Sequence, residues 1–455
     1  MFKKIISAFI AITMVMGMCS CGEQSSSVSD KPGVTASGSQ EPSSVVKTEP
    51  EPIPDTGRDS IELTADYEFS QAAQDKKNDA DFIKGIGSFS AELFKNAVKG
   101  DLAQGKNTLV SPESVAFALG MTMNGASGET LTQMQNVLCS GVELDKFNSN
   151  MNLLISKAHS SNTEDSKLSI ANSIWVKDDD NLTPTEQFTK NCKQLYNAEF
   201  FRAPFDSKTV EKLNGWVDEK TDSMIKKLID RFEGDEIMCL VNCIAFDSKW
   251  EKQYEDNQVK EDQDFTNAQK EKVKCTMLSC KEDTYVENGR ATGFVKLYKG
   301  GKYAFMAVLP NENTTINNYV CSMSSDELLK LYEERTDKYT VYTRLPEFTY
   351  DHSTELNSTL KQMGMKDAFG AADFSNMFKS TPAAINRVIH KTHIELNAKG
   401  TKAAAATAVT MRKNAVAVED NVKRVILDRP FLYAIMDTET GLPVFIGTVC
   451  DPTVK

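Results

Sequence analysis

The chain has 455 residues, 40% of them hydrophobic and 25% charged, so it can bury at least one large core. Its formal net charge of −12 argues against nucleic acid as a partner, because a phosphate backbone requires a basic surface. The acidic balance serves solubility instead.

The first twenty residues read as a targeting signal. Lys3-Lys4 give a basic start, and Ile5 to Met18 form an apolar stretch too short for a comfortable membrane span. The stretch ends in Met18-Cys19-Ser20-Cys21-Gly22, which resembles a bacterial lipoprotein signal with the small Ser20 just ahead of Cys21. An ordinary secretory signal with incidental cysteines is the alternative. The resemblance implies a signal peptide over 1–20 and a lipid on Cys21. Residues 21–62, rich in Ser, Pro and Glu and including Glu49-Pro50-Glu51-Pro52, form a tether that cannot bury enough apolar surface to order itself. The folded domain then spans 63–455.

Within that domain, Phe82 to Lys99 carries Phe82, Ile86, Phe89 and Leu93 at helical spacing. Ser111-Pro112 reads as a helix cap with proline at the first helical position, followed by the apolar run from Val115 to Met123. Strand-rich blocks come later, at Leu168 to Val176, Cys239 to Phe246, Phe294 to Leu297, Tyr303 to Leu309, Lys338 to Leu345 and Arg429 to Val449. Helices concentrated early and strands late predict a single α+β domain. Cys239/Cys243 and Cys275/Cys280 have spacings that invite a zinc reading, but no histidine lies near at metal spacing. Buried free thiols are the expectation for the eight domain cysteines, with no metal and no cofactor.

Several segments in order resemble the serpins over essentially the whole domain. They are Asn107-Thr108-Leu109-Val110-Ser111-Pro112-Glu113-Ser114, Ala171-Asn172-Ser173-Ile174-Trp175, Leu240-Val241-Asn242, Lys249-Trp250, Leu345-Pro346-Glu347-Phe348, His390-Lys391, Gly400 to Met411 and Asp428-Arg429-Pro430-Phe431. The resemblance implies the serpin fold, α+β with three β-sheets, eight to nine helices and an exposed reactive-centre loop. It implies no enzyme, but a suicide-substrate inhibitor of extracellular serine or cysteine proteases. The target attacks the loop, and the cleaved loop inserts into the main sheet before the acyl-enzyme hydrolyses. A non-inhibitory serpin acting as a cell-surface binding or scaffold protein is the alternative. A monomer at the bacterial cell surface is expected, held by its lipid, with a trypsin-like, elastase-like or subtilisin-like protease as partner.

The residues bear on insertion directly. Gly400, Thr401, Lys402, Ala403, Ala404, Ala405, Ala406 and Thr407 form the implied hinge. Side chains of a strand alternate faces, so Thr401, Ala403, Ala405, Thr407, Val409 and Met411 share one wholly uncharged face. Inserting that face inward buries no unpaired charge. The hinge departs from the family at Ala398 and Lys402, where glutamate is usual. Counting from Gly400 as the family does places the scissile bond at Asn414-Ala415, with Lys413 or Arg412 as alternatives for the residue before the cut. Ser111, Ser114, Asn242 and His390 match residues that gate opening of the main sheet, and Trp250 matches a tryptophan near the loop's entry. Taken alone, Ser111 is a helix cap, His390 a satisfied core histidine and Trp250 a core aromatic. An enzyme is disfavoured: only four histidines exist, and no nucleophile elbow or phosphate loop occurs.

Overall fold

The computed structural model describes residues 8–18, 59–62, 67–223, 225–401 and 421–455. From the N-terminus come strands β1 (Ala8–Met18) and β2 (Ile61–Glu62), helix α1 (Ala80–Ala103), β3 (Thr108–Val110), and helices α2 (Pro112–Met123), α3 (Gly128–Cys139) and α4 (Leu144–Ser161). The middle holds β4 (Ser166–Lys177), α5 (Glu186–Tyr196), β5 (Ala198–Ala203), α6 (Ser207–Lys220) and β6 (Glu236–Lys249). Next follow β7 (Val259–Thr266), β8 (Lys272–Glu282), β9 (Thr284–Glu287), β10 (Ala291–Leu297), β11 (Tyr303–Pro310), α7 (Ile316–Cys321) and α8 (Glu327–Glu333). The last third adds β12 (Thr340–Pro346), β13 (Phe348–Glu355), α9 (Asn357–Met363), β14 (Ala383–Asn397), β15 (Gly400–Thr401), β16 (Val422–Ile426), β17 (Phe431–Asp437) and β18 (Pro443–Val449).

Helix α2 starts where the sequence places it, and α1 starts two residues before the expected Phe82. Asp79 caps α1 by accepting from the N–H groups of Asp81 and Phe82, and Phe82, Ile86, Phe89, Leu93 and Phe94 bury one face. Pro112 opens α2, whose residues are almost all buried, because this helix packs against both β6 and β18.

The strands form three sheets of eight, six and four strands. Across the largest, the order is β13, β14, a column shared by β15 and β1, then β6, β4, β5 and β2. Among the described strands only β4 and β5 run parallel there. The six-stranded sheet runs β3-β18-β17-β11-β10-β9, and the four-stranded one β16-β12-β8-β7. Strand β6 is buried on both faces, which is why it reads as an unbroken apolar run. Its Leu240, Ile244 and Phe246 enter the main core. Cys239, Val241, Cys243 and Ala245 enter a second cluster with Trp175, Phe205, Leu213 and Trp216.

The domain cysteines are free thiols. Cys139, Cys192, Cys239, Cys243 and Cys450 are buried as expected, whereas Cys275, Cys280 and Cys321 are only half-buried. Burial pushes the Cys139 thiol up to about 12, so the thiolate needed for metal or nucleophilic chemistry is suppressed there. The segment expected to be a targeting signal outside the fold supplies β1, a full strand of the largest sheet. Ala8 to Met18 contains no charged residue and includes the β-favouring Phe9, Ile10, Ile12, Thr13 and Val15.

Candidate functional site

Strands β14 and β6 stand apart by one strand's width, and the column between them is filled by two separate pieces of chain. At its head sits β15. Gly400 pairs with Asn397 and Lys249, and Thr401 with Leu396 and Ser248, so the first two residues of the expected hinge sit between both neighbours. Below them β1 runs antiparallel to both strands. Phe9 pairs with His393 and Ala245, and Ile12 with His390 and Asn242.

The head of the column is tightly built. A Cβ on Gly400 would lie 2.2 Å from the Ser248 carbonyl oxygen and 2.7 Å from the Lys249 Cα, so only glycine fits. Thr401 is fully buried, and its hydroxyl meets the Tyr298 hydroxyl at 2.6 Å. Trp250 stacks on Tyr298 with ring centroids 4.5 Å apart, and its indole N–H donates to the Asn397 carbonyl at 3.0 Å. The Trp250 backbone N–H donates to the Lys399 carbonyl at 2.9 Å. Trp250 therefore clamps the chain on both sides of Ala398, which is more than a core aromatic does. Glu347 accepts from the Ala398 N–H at 2.9 Å, so a carboxylate reaches this corner even though position 398 itself lacks one. Burial raises the pKa of Glu347, and the Ala398 N–H opposes that shift.

Halfway down the column lies the polar network. Ser111, Ser114, Asn242 and His390 are all 0% exposed, and the structure brings them together. The Ser111 hydroxyl donates to the Val444 carbonyl at 2.7 Å and accepts from the Ser114 N–H at 3.2 Å, so it caps α2 and joins the network at once. The Ser114 hydroxyl donates to the Asn242 Oδ1. Asn242 in turn donates to Asn172 Oδ1 at 2.8 Å, and Asn172 to the Tyr196 carbonyl at 2.6 Å. From the other side of the column, His390 Nε2 accepts from the Ser111 N–H at 3.0 Å.

His390 differs from a satisfied core histidine, because its Nδ1 is buried with no hydrogen-bond partner among the described residues. Burial, helped by His352 nearby, holds its pKa down at about 3, so the ring is neutral. Asn242 and His390 flank the column at one level, each within reach of the α2 N-terminus. Separating β14 from β6 therefore pulls on bonds anchored at a single helix end.

Asn172 and Tyr298 complete these two sites, and residue-by-residue reading of the sequence did not single them out. Asn172 lies in an alternating strand, where a polar residue usually signals a solvated face. The hinge residues Lys402 to Thr407, the candidate scissile positions Arg412, Lys413, Asn414 and Ala415, and Cys21 lie outside the described residues.

Comparisons with known proteins bear on this geometry. A family model described as serpin (serine protease inhibitor) matches residues 84–452. A serpin-like protein of Methanosarcina acetivorans is 30% identical over 391 residues, covering 83% of this chain and 88% of the relative. Human serpin B8 is 30% identical over 382 residues, covering 82% of this chain and all of the relative. Among solved structures, the thermophilic serpin tengpin in its native state is 36% identical, with a TM-score of 0.78 over 86% of this chain and 99% of that one.

Proposed function

The chain belongs to the serpin family, and from that premise we propose that it is a suicide-substrate inhibitor of extracellular serine proteases. One observation carries the reading: the column between β14 and β6 holds a strand antiparallel to both, in the register that Gly400-Thr401 begin. Counting on from Thr401 one for one, position 404 faces His393 and Ala245, the partners of Phe9. Position 407 faces His390 and Asn242, the partners of Ile12. A cleaved loop entering this column carries Thr407 to the polar network, on the same face as the buried Thr401.

The chemistry belongs to the protease. Its nucleophile attacks the carbonyl before the scissile bond, at Asn414-Ala415 or one or two residues earlier. The peptide C–N bond breaks, an acyl-enzyme forms, and the new amino terminus departs. Insertion then competes with hydrolysis of the ester. Arg412 and Lys413 offer a trypsin-like enzyme a cation for its specificity pocket. Export with removal of residues 1–20 and lipidation of Cys21 would take β1 away and leave the column to the loop, with the domain displayed outside the membrane.

The test is incubation of the chain lacking residues 1–20 with trypsin-like, elastase-like and subtilisin-like proteases. A detergent-resistant complex is expected, and mass spectrometry of the released C-terminal peptide fixes the bond. Cleavage by all three without any stable complex would instead favour the non-inhibitory alternative.

A further inference from the structure

The four-stranded sheet carries a cavity of about 700 Å³ that the inhibitory reading does not use. Among the described residues six cations line it, namely Lys252, Lys260, Lys281, Lys296, Arg344 and Arg424. In a chain of net charge −12 such a concentration of one sign is unusual.

The lining follows from strand register. Lys281, Tyr342 and Arg424 stand at one level across β8, β12 and β16, and Ser279, Arg344 and Ile426 at a level two residues on. Lys281 and Arg424 both lie over the Tyr342 ring, at 4.8 and 5.1 Å from its centroid. Among the described residues only two carboxylates share the cavity, and both are engaged. Glu282 accepts from Lys296 at 2.6 Å, and Glu255 caps the short turn Asp256–Gln258. Lys252 is paired outside the cavity with Asp283 at 3.2 Å. Lys260, Arg344 and Arg424 form no ion pair among the described residues, and the Ser279 hydroxyl is shielded from water without a partner. Two guanidinium groups without an ion pair among the described residues match the oxygens of a tetrahedral oxyanion, which arginine grips with two parallel N–H bonds.

We propose that this cavity binds a small anion carrying clustered phosphate or sulfate groups. The ligand bridges Arg344 on β12 and Arg424 on the edge strand β16, and so ties the chain that follows the loop to the body of the sheet. Binding is read independently of any protease, so the site and the inhibitory reading can fail separately.

Calorimetric titration of the full chain with sodium tripolyphosphate and, separately, sucrose octasulfate distinguishes the phosphate and sulfate sources. One-to-one binding is expected for at least one probe, weakening as NaCl rises from 50 to 150 mM. Arg344→Gln and Arg424→Gln should each lower affinity about tenfold, since each removes a charge-assisted contact. Lys260→Gln, on a different strand, should lower it several-fold, and Lys361→Gln on α9 should leave it unchanged. Absence of saturable heat for both probes at 50 mM NaCl overturns the proposal. So does equal affinity in the chain and in all three cavity variants.

Discussion

His390 is wholly buried, with one ring nitrogen bonded to the Ser111 N–H and the other without a partner among the described residues. Its folded pKa, near 3, lies below the ordinary 6.5, so the unfolded chain takes up a proton first as pH falls. Its contribution is therefore intact above pH 6.5 and is lost as pH drops from 6.5 towards 3, amounting to a few kcal/mol in full. His390→Gln, which cannot titrate, should flatten the pH dependence of the urea midpoint over that window. An unchanged slope would remove His390 as its source. Gly400 makes a second residue-scale case. Gly400→Ala puts a methyl 2.2 Å from the Ser248 carbonyl oxygen, which should cost roughly 1–3 kcal/mol in denaturant titration.

At the scale of elements, the pairing of β6 with its neighbours ties the α2 N-terminus to the largest sheet. Asn242 joins Ser114 of α2 to Asn172 of β4, so Asn242→Ala strands two buried polar groups. A loss of about 2–3 kcal/mol in unfolding free energy is expected, measured by urea titration. The register makes a sharper prediction about the loop. Thr407→Arg brings a cation to the level of Asn242 and His390, where all its neighbours are buried. The variant should still be cut by protease at the normal rate, while the yield of stable complex falls at least about tenfold, because burying an unpaired charge costs several kcal/mol. Lys402→Glu, on the opposite face by alternation, should keep its yield.

These elements were unequally legible in the sequence. Helix α1 declared itself through periodic apolar residues and α2 through a polar cap with proline at its first position, both local signals. The block from Arg429 to Val449, by contrast, reads as one β-rich run but folds as β17 and β18 around a turn where Gly441 adopts φ 71°. The buried polar network was readable only as a family resemblance. Its bonds join Ser111, Asn242 and His390 across long stretches of chain, and no periodicity records such contacts. Strand β1 was not readable at all, since its register is set by β14 and β6, far along the chain.

At the scale of the molecule, the proposed insertion of the loop needs the positions that β1 fills between β14 and β6, so the two exclude each other. A chain retaining residues 1–20 should therefore be cleaved in its loop yet form less stable complex than the chain that begins at Cys21. Equal yields would show that β1 does not oppose insertion. Filling the column with the loop after cleavage adds main-chain hydrogen bonds on both sides of a new central strand. Each contributes on the order of 1 kcal/mol, and each kcal/mol raises the melting temperature by a few degrees in a domain of this size. The most direct test is the melting temperature of the chain lacking residues 1–20, before and after its loop is nicked between Arg412 and Ala415. Insertion predicts a rise of at least about 10 °C in the cleaved form. An unchanged or lower melting temperature would contradict it.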